Sequence, residues 1–192
     1  DRKMREQVRA ELGVREQFVL GCVATLSHNK NQAFLLDVLA CMPAQERVCY
    51  KLMLIGSGPT ESALKAKAAE KNVREQVLFL GDRRDVPRLL QAMDCFALPS
   101  FFEGVPVGVL EAQASGLPCL LSNGVPNAVD ILPSVYREKV EKEDCAIWAE
   151  RLRQLRARPH KRENPGRLFA EAGYDLDLEA EKLARFYESV SI

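Results

Sequence analysis

Short apolar runs alternate with amphipathic segments from residue 18 to residue 122, and this alternation narrowly limits the fold. The apolar runs lie at 18–24, 50–56, 76–81, 95–100 and 118–122. Runs of this length indicate strands that are buried on both faces, and the helices predicted between them form βαβ units. We therefore predict an α/β fold whose parallel sheet has about five or six strands and carries helices on both faces.

The helical segments divide the chain into a core and a tail. Helices are predicted at 31–42, 61–72, 85–94, 106–115 and 145–157, and again at 168–172 and 178–190 after a break at 158–167. We expect one domain with three parts, a lead-in helix within 1–17, a core over 18–133, and a strand and helical extension over 134–192. The tail helices, including one over 176–189, are predicted to pack outside the sheet.

Charge and cysteine content exclude several classes of function. The chain has 27 basic and 27 acidic side chains, so a nucleic-acid binder that relies on bulk positive charge is not expected. No apolar run approaches the roughly 20 residues that span a bilayer. Six cysteines are scattered without a CxxC pair, and several lie inside apolar runs. We therefore expect buried reduced thiols, no metal site and a cytoplasmic location.

Two glutamates stand on either side of a turn that glycine and proline interrupt. In SFFEGVPVGVLEAQASGLP, Glu103 precedes the turn and Glu111 lies within the helix that follows. Pro106 suits the first helical position, which leaves the N–H groups around Val105 and Val107 free to bind an anion. Open parallel sheets bind ligands at the carboxyl ends of their strands, where this turn is expected.

A nucleotide-sugar suits two carboxylates that flank an anion-binding helix start. A carboxylate beside a phosphate is repulsive unless it accepts hydrogen bonds from another part of the ligand, and the hydroxyls of a ribose or hexose can donate them. In the alternative interpretation, Glu111 is an ordinary surface residue of the helix and Glu103 interacts with the positive helix end.

The series of motifs resembles one enzyme family. FEGVPVGVLEAQASGLPCLLS is similar to the E-x7-E segment of family 4 retaining glycosyltransferases (glycosyl transferases group 1), of the bacterial capsule and exopolysaccharide type. LSHNKNQAFLLD, KLMLIGSGP and VLFLGDRRDVPRLLQAMDCFALPS follow that family's order and spacing. The resemblance covers about residues 1–190 and implies a Rossmann-like sheet, the C-terminal, donor-binding half of the GT-B architecture. We therefore expect the chain to be an excised part of a longer enzyme.

The resemblance implies a donor nucleotide-sugar, with UDP-sugar as the first expectation, and assigns residues to it. Glu111 would bind the ribose, Glu103 would contact the hexose, and Lys30 would contact the diphosphate and stabilise it as leaving group. The remaining donor-binding residues that the resemblance implies are Gly104, Val105, Pro106 and Val107 at the turn, Thr25 after the first strand, and Gly81 and Arg83 beside the nucleobase.

The resemblance also implies the partners of the complete enzyme. Neither a cofactor nor a metal is expected, and a glycan or lipid-linked acceptor would bind through the missing N-terminal half. The complete enzyme is expected in the cytoplasm, with peripheral association at the inner face of the plasma membrane. His28 and His160 are expected at the surface, so this half supplies no assigned catalytic base.

The sequence departs from the family pattern at two positions. Thr25 stands where the family usually has arginine, and Ala128 stands where it commonly has glutamate. A single hydroxyl at Thr25 would replace a bidentate phosphate donor. Two alternatives to hexosyl transfer therefore stay open: half of a UDP-sugar 2-epimerase with the GT-B fold, and a nucleotide-sugar-binding domain that has lost transferase activity.

Overall fold

The computed structural model describes residues 1–190, in which six strands form one parallel sheet. The strands are β1 (Phe18–Val23), β2 (Tyr50–Ile55), β3 (Val77–Gly81), β4 (Cys95–Leu98), β5 (Cys119–Ser122) and β6 (Val135–Glu138). They lie in the order β3-β2-β1-β4-β5-β6, and every neighbouring pair is parallel. The predicted Rossmann-like α/β fold is confirmed. The last two residues of the predicted extension lie outside the described residues.

Helices connect the strands and cover the sheet. The α-helices of residues 1–190 are α1 (Arg2–Glu11), α2 (Gln32–Cys41), α3 (Ala44–Arg47), α4 (Glu61–Glu70), α5 (Val86–Ala92), α6 (Val107–Ala114), α7 (Cys145–Ala157), α8 (Gly166–Glu171) and α9 (Leu176–Val190). Short 3-10 helices lie at Arg74–Gln76, Asn127–Val129 and Lys142–Asp144. Helix α2 packs beside α4 and α7, whereas α1 packs beside α5. Because parallel crossovers are right-handed and the strand order reverses at β1, these two groups lie on opposite faces.

The core lies where these helix groups meet the sheet. Trp148 of α7 is fully buried, and its ring meets that of Phe34 in α2 edge-on, with centroids 5.3 Å apart. Gly21 of β1 leaves room for Met93, because a Cβ at Gly21 would lie 2.0 Å from the Met93 sulfur. All six cysteines are free, as predicted. The prediction that they are buried is confirmed for four of them. It is wrong for Cys41, which is exposed, and for Cys49, which is half-buried.

The prediction that the 176–189 helix packs outside the sheet is wrong. Helix α9 forms, but none of its described residues is buried, and Leu176, Leu183 and Phe186 are each more than half exposed. Helix α8 also lacks a buried residue, so the described tail adds no residue to the buried core after α7. Within residues 1–190, no helix has the length and apolar character needed to cross a membrane.

Candidate functional site

The strand order creates a crevice between the carboxyl ends of β1 and β4. These two strands are neighbours in the sheet, yet the chain leaves β1 toward α2 on one face and β4 toward α6 on the other. Diverging connections at such a switch point open a crevice in which doubly wound proteins bind ligands. The loops that border it are 24–31 after β1 and 99–106 after β4.

Asparagines join the two loops across the crevice. The Asn29 side chain donates to the Phe102 carbonyl at 2.8 Å, and the Phe101 N–H donates back to the Asn29 carbonyl at 2.9 Å. Asn31 adopts a left-handed conformation (φ 52°), which asparagine tolerates well, and its side chain donates to the Pro99 carbonyl at 3.2 Å. Sequence reasoning missed both asparagines, although they flank Lys30 in HNKN, where turn-forming residues could have indicated their roles.

An ion pair spans the crevice from loop to loop. Lys30 Nζ lies 2.7 Å from Oε1 and 2.8 Å from Oε2 of Glu103. Only 8% of the Glu103 side chain is exposed, compared with 23% for Lys30. A buried carboxylate requires such a partner, because an unpaired charge loses its solvation without compensation. The structure thus brings together two predicted site residues that are 73 positions apart.

The turn after Glu103 presents N–H groups to solvent. The Glu103 N–H donates to the Gly124 carbonyl at 3.0 Å, but the N–H groups of Val105, Val107 and Gly108 donate to no acceptor within residues 1–190. Val105 and Val107 are also largely exposed. The free N–H groups predicted here are therefore present, at the positive end of α6.

Two residues define how helix α6 begins. Pro106 was predicted at the first helical position, but it is the N-cap residue, and the helix begins at Val107. The reason is that its ψ of 97° is extended rather than helical. Gly108 lets the helix start approach the end of β1, because a Cβ there would lie 3.0 Å from the Val23 carbonyl oxygen. The free N–H groups consequently lie close to the crevice.

Glu111 lies farther along α6 and differs from Glu103 in its surroundings. It is exposed, and its carboxylate has no hydrogen-bond or ion-pair partner among residues 1–190. One predicted carboxylate is therefore buried and paired, while the other is open to solvent and available to a ligand.

The loops after β2 and β3 form the far rim. The Gly56 N–H donates to the carbonyl of Gly81 at 2.8 Å, and Gly81 has a left-handed φ of 63° that favours glycine. Arg83 is bound within its own loop, with its guanidinium 2.7 Å and 2.8 Å from the two Asp85 oxygens. The Arg83 hydrogen bond lowers the pKa of Asp85 to about 2. The second terminal nitrogen of the Arg83 guanidinium does not bond to Asp85 and remains available to a ligand.

The remaining sequence-derived candidates lie in different places. Thr25 is exposed after β1, and its carbonyl accepts from the Gln32 side chain at 2.9 Å. Ala128 is exposed in the 3-10 helix that follows β5. The His28 ring lies over Phe101 with centroids 5.3 Å apart, whereas His160 is exposed at the opposite edge of the sheet.

The crevice has the chemistry of an anion and polyol site. It combines one ammonium group, backbone N–H donors and two carboxylates of different exposure. The thiol of Cys22, which interacts electrostatically with Lys30 and Glu103, is fully buried, and burial raises its pKa to about 12 and disfavours the nucleophilic thiolate. Within residues 1–190, no three His, Cys, Asp or Glu side chains are arranged to hold a metal ion.

Comparisons with known proteins identify relatives of this chain. EpsF of Bacillus subtilis (strain 168), named as a glycosyltransferase, is 34% identical over 174 residues, which are 90% of this chain and 45% of EpsF. The UDP-Gal:alpha-D-GlcNAc-diphosphoundecaprenol alpha-1,3-galactosyltransferase of Escherichia coli is 34% identical over 111 residues, covering 57% of this chain and 29% of that protein. This chain therefore spans less than half the length of these relatives.

A solved structure and a family model complete the comparison. The crystal structure of Anabaena Alr3699/HepE in complex with UDP has a TM-score of 0.81 and 23% identity, over 99% of this chain and 54% of that chain. This likeness shows the fold. The model of the family "Glycosyl transferases group 1" matches residues 4–168, which is most of the chain. The chain therefore belongs to the glycosyl transferases group 1 family.

Proposed function

We propose that this chain is the donor-binding half of a retaining, metal-independent glycosyltransferase that uses no cofactor. The complete enzyme would pass a hexosyl group from a nucleoside-diphosphate sugar to a growing capsular or exopolysaccharide glycan, or to a lipid-linked glycan. The observation that carries the proposal is the β1–β4 crevice, where the Lys30–Glu103 pair adjoins the free N–H groups of the α6 start. The complete enzyme would act in the cytoplasm, with peripheral association at the inner face of the plasma membrane.

We propose a UDP-sugar as the donor because of the name of one relative and the ligand of one solved structure. The Escherichia coli relative is named for a UDP-Gal donor and a diphosphoundecaprenol-linked acceptor, and Alr3699/HepE was solved with UDP. In this chain the diphosphate would meet Lys30 Nζ and the N–H groups of Val105, Val107 and Gly108. Glu111, which is open to solvent, would accept hydrogen bonds from the ribose hydroxyls.

The ion pair suits a site whose charge changes when the donor binds. An ammonium group has three donors, so Lys30 can keep a hydrogen bond to Glu103 while it donates to a phosphate oxygen. The carboxylate of Glu103 would then accept hydrogen bonds from the hexose. During transfer, negative charge grows on the departing diphosphate, and donors that are already oriented stabilise it without reorganising.

Calorimetry with UDP and a UDP-hexose tests these roles. Glu111→Gln should weaken UDP binding by roughly ten- to over a hundredfold, the usual effect of losing a hydrogen bond to a charged partner. Glu103→Gln should spare UDP and weaken only the UDP-hexose. Lys30→Ala should weaken both, and more strongly at low salt. Glu70→Gln, an exposed glutamate at the end of α4, is the matched control.

The outcome that refutes the assignment is specific. If the wild-type chain binds UDP and both crevice glutamate variants bind it and the UDP-hexose as tightly as the control, the carboxylates have no role in donor binding. Because the chain spans half or less of its relatives, we expect weak binding and no sugar transfer from this chain alone. Transfer to an added acceptor would show that this half suffices.

Thr25 favours a second candidate, a domain that binds the donor without transferring sugar. Its exposed hydroxyl stands where arginine would supply a charged phosphate contact. If the site has lost that contact, Thr25→Arg should strengthen UDP binding about tenfold. A transfer assay on the full-length parent distinguishes the two candidates, and formation of a 2-epimer of the UDP-sugar would identify the epimerase alternative instead.

A further inference from the structure

A second cavity, called here the amino-edge cavity, lies at the amino ends of β1, β4 and β5. The crevice lies at the opposite, carboxyl ends of the strands. Its volume is about 860 Å³, and its wall includes Phe18, Asp94 and Pro118, which stand at or just before the starts of these strands. That volume falls within the roughly 300–1,000 Å³ typical of ligand sites. Three further segments close the cavity: helix α1, the end of α7 and the 158–165 connection.

The wall of this cavity is strongly basic. Its charged side chains are the basic Arg2, Arg5, Arg9, Arg156, Lys161 and Arg162 and the acidic Asp1, Glu16 and Asp94. Six basic groups against three acidic ones leave an excess of three positive charges, whereas the chain as a whole has a formal net charge of zero. Positive charge is therefore concentrated at this edge, inside a concave surface that focuses its field.

One carboxylate, that of Asp94, pairs with two of the five arginines in the wall. Asp94 accepts from Arg5 through Oδ1, and its Oδ2 accepts from Arg9 at 3.0 Å and from the Val19 N–H at 2.7 Å. Arg162 instead donates to backbone carbonyls at the end of α5, among them that of Met93 at 2.6 Å. Carbonyl oxygens satisfy the hydrogen bonds of Arg162 without neutralising its charge.

Arg162 consequently carries a charge that the protein compensates only in part. Burial, together with repulsion from Arg5 and Arg9, lowers the pKa of Arg162 to about 10, and Asp94 offsets this only in part. A bound anion would supply the missing negative charge. Arg156 and Lys161 are exposed at the rim. The Arg156 guanidinium lies over the Tyr50 ring, 5.5 Å from its centroid, a contact that leaves its charge unneutralised, and Lys161 forms no ion pair within residues 1–190, so both charges can attract an anion that enters.

We propose that this amino-edge cavity binds a polyphosphate group, either free or carried by a nucleotide. Arg156 and Lys161 contact the phosphates directly, while Arg5 and Arg162 supply the positive potential behind them. Because the wall combines α1, the end of α7 and the 158–165 connection, the bound anion ties these segments to the sheet and stabilises the fold. The site is separate from the donor crevice, which lies at the carboxyl ends of the strands.

Titration calorimetry and thermal unfolding with inorganic tripolyphosphate test this proposal. Both are performed at low salt on the Lys30→Ala chain, in which the crevice lacks its ammonium group, and both are repeated on the wild type. We expect one bound tripolyphosphate and a higher Tm. The double variant Arg156→Gln/Lys161→Gln should bind at least about tenfold more weakly, because it removes two charge-assisted contacts.

A double variant with the same loss of charge is the control. Lys182→Gln/Arg185→Gln on α9 removes two exposed positive charges far along the chain from the cavity, and it should bind tripolyphosphate within about twofold of the wild type. No binding to the wild type, or equal binding by the two double variants, would overturn the proposal. Tighter binding of ATP than of tripolyphosphate would identify a nucleotide as the carrier, and equal binding would identify the free polyphosphate.

Discussion

Replacing Lys30 with methionine should destabilise the unliganded fold, because it leaves a buried carboxylate unpaired. Lys30 Nζ lies 2.7 Å and 2.8 Å from the two oxygens of Glu103, whose side chain is only 8% exposed. At about 3 Å and an effective dielectric constant of about 20, two unit charges attract by roughly 5–6 kcal/mol, before their lost solvation is subtracted.

Measured effects on other buried pairs set the expected net cost. Removing one partner of a buried pair typically costs about 3–5 kcal/mol. Because 23% of the Lys30 side chain stays exposed, we expect Lys30→Met to lower the free energy of unfolding by about 2–3 kcal/mol. Glu103→Gln leaves an ammonium group that can reach water, and it should cost about 1–2 kcal/mol. The double variant should fall short of the sum by about 1–2 kcal/mol.

Urea unfolding of the four proteins, followed by circular dichroism, measures this coupling. The exposed pair between Lys182 and Glu179 on α9 is the control cycle, and its coupling should stay below about 0.5 kcal/mol. If the Lys30 and Glu103 variants are additive to within about 0.5 kcal/mol, the ion pair does not form in solution, and the geometry of the crevice described above is wrong.

Four further predictions test the fold and the site. Removing residues 176–192 should change the free energy of unfolding by less than about 0.5 kcal/mol in urea, since no described residue of α9 is buried; a loss above about 2 kcal/mol would show that the helix packs. At pH 8, a thiol reagent should modify exposed Cys41 quickly and Cys22 only after unfolding, because burial raises the pKa of Cys22 to about 12; mass spectrometry finding native Cys22 modified would contradict this. Gly108→Val should weaken UDP binding about tenfold in calorimetry by displacing the α6 start from Val23, whereas unchanged affinity would exclude that helix start from the site. EDTA should leave UDP affinity unchanged if the proposed lysine and N–H groups meet the diphosphate, and lost binding would contradict metal independence.

The fold could be predicted from the sequence because each level of the pattern agrees. Buried parallel strands need apolar runs such as YKLMLIG, and turn residues separate these runs from the helices between them. The sixth strand, Val135–Glu138, was harder to place within the charged tail because all four of its residues are only half-buried at the sheet edge. A short edge strand of this kind has little hydrophobic signal.

The site could be predicted only in part. The spacing of Glu103 and Glu111 and the start of a helix between them are local, so the sequence contains them. The ion pair between Lys30 and Glu103 is not local, because it depends on β4 lying beside β1 rather than beside β3. The crossover connections determine the order of the strands in the sheet, and the sequences of the two loops contain no information about that order.

The failed prediction for α9 has a related cause. An apolar stripe predicts that a helix face will be covered, but the stripe does not state which surface covers it. In residues 1–190 the stripe of α9, which includes Leu183 and Phe186, stays exposed. Amphipathic periodicity therefore identified the helix correctly and gave no information about where it packs.

Backbone amide NMR with UDP tests the central claim most directly, namely that a nucleoside diphosphate binds in the β1–β4 crevice. The chain of 192 residues is small enough for a ¹⁵N-labelled titration. We predict that the amides of Val105, Val107 and Gly108, whose N–H groups are free in the structure, shift most, together with that of Lys30. If UDP binds while these amides stay unchanged and the largest shifts fall elsewhere, the crevice is not the donor site.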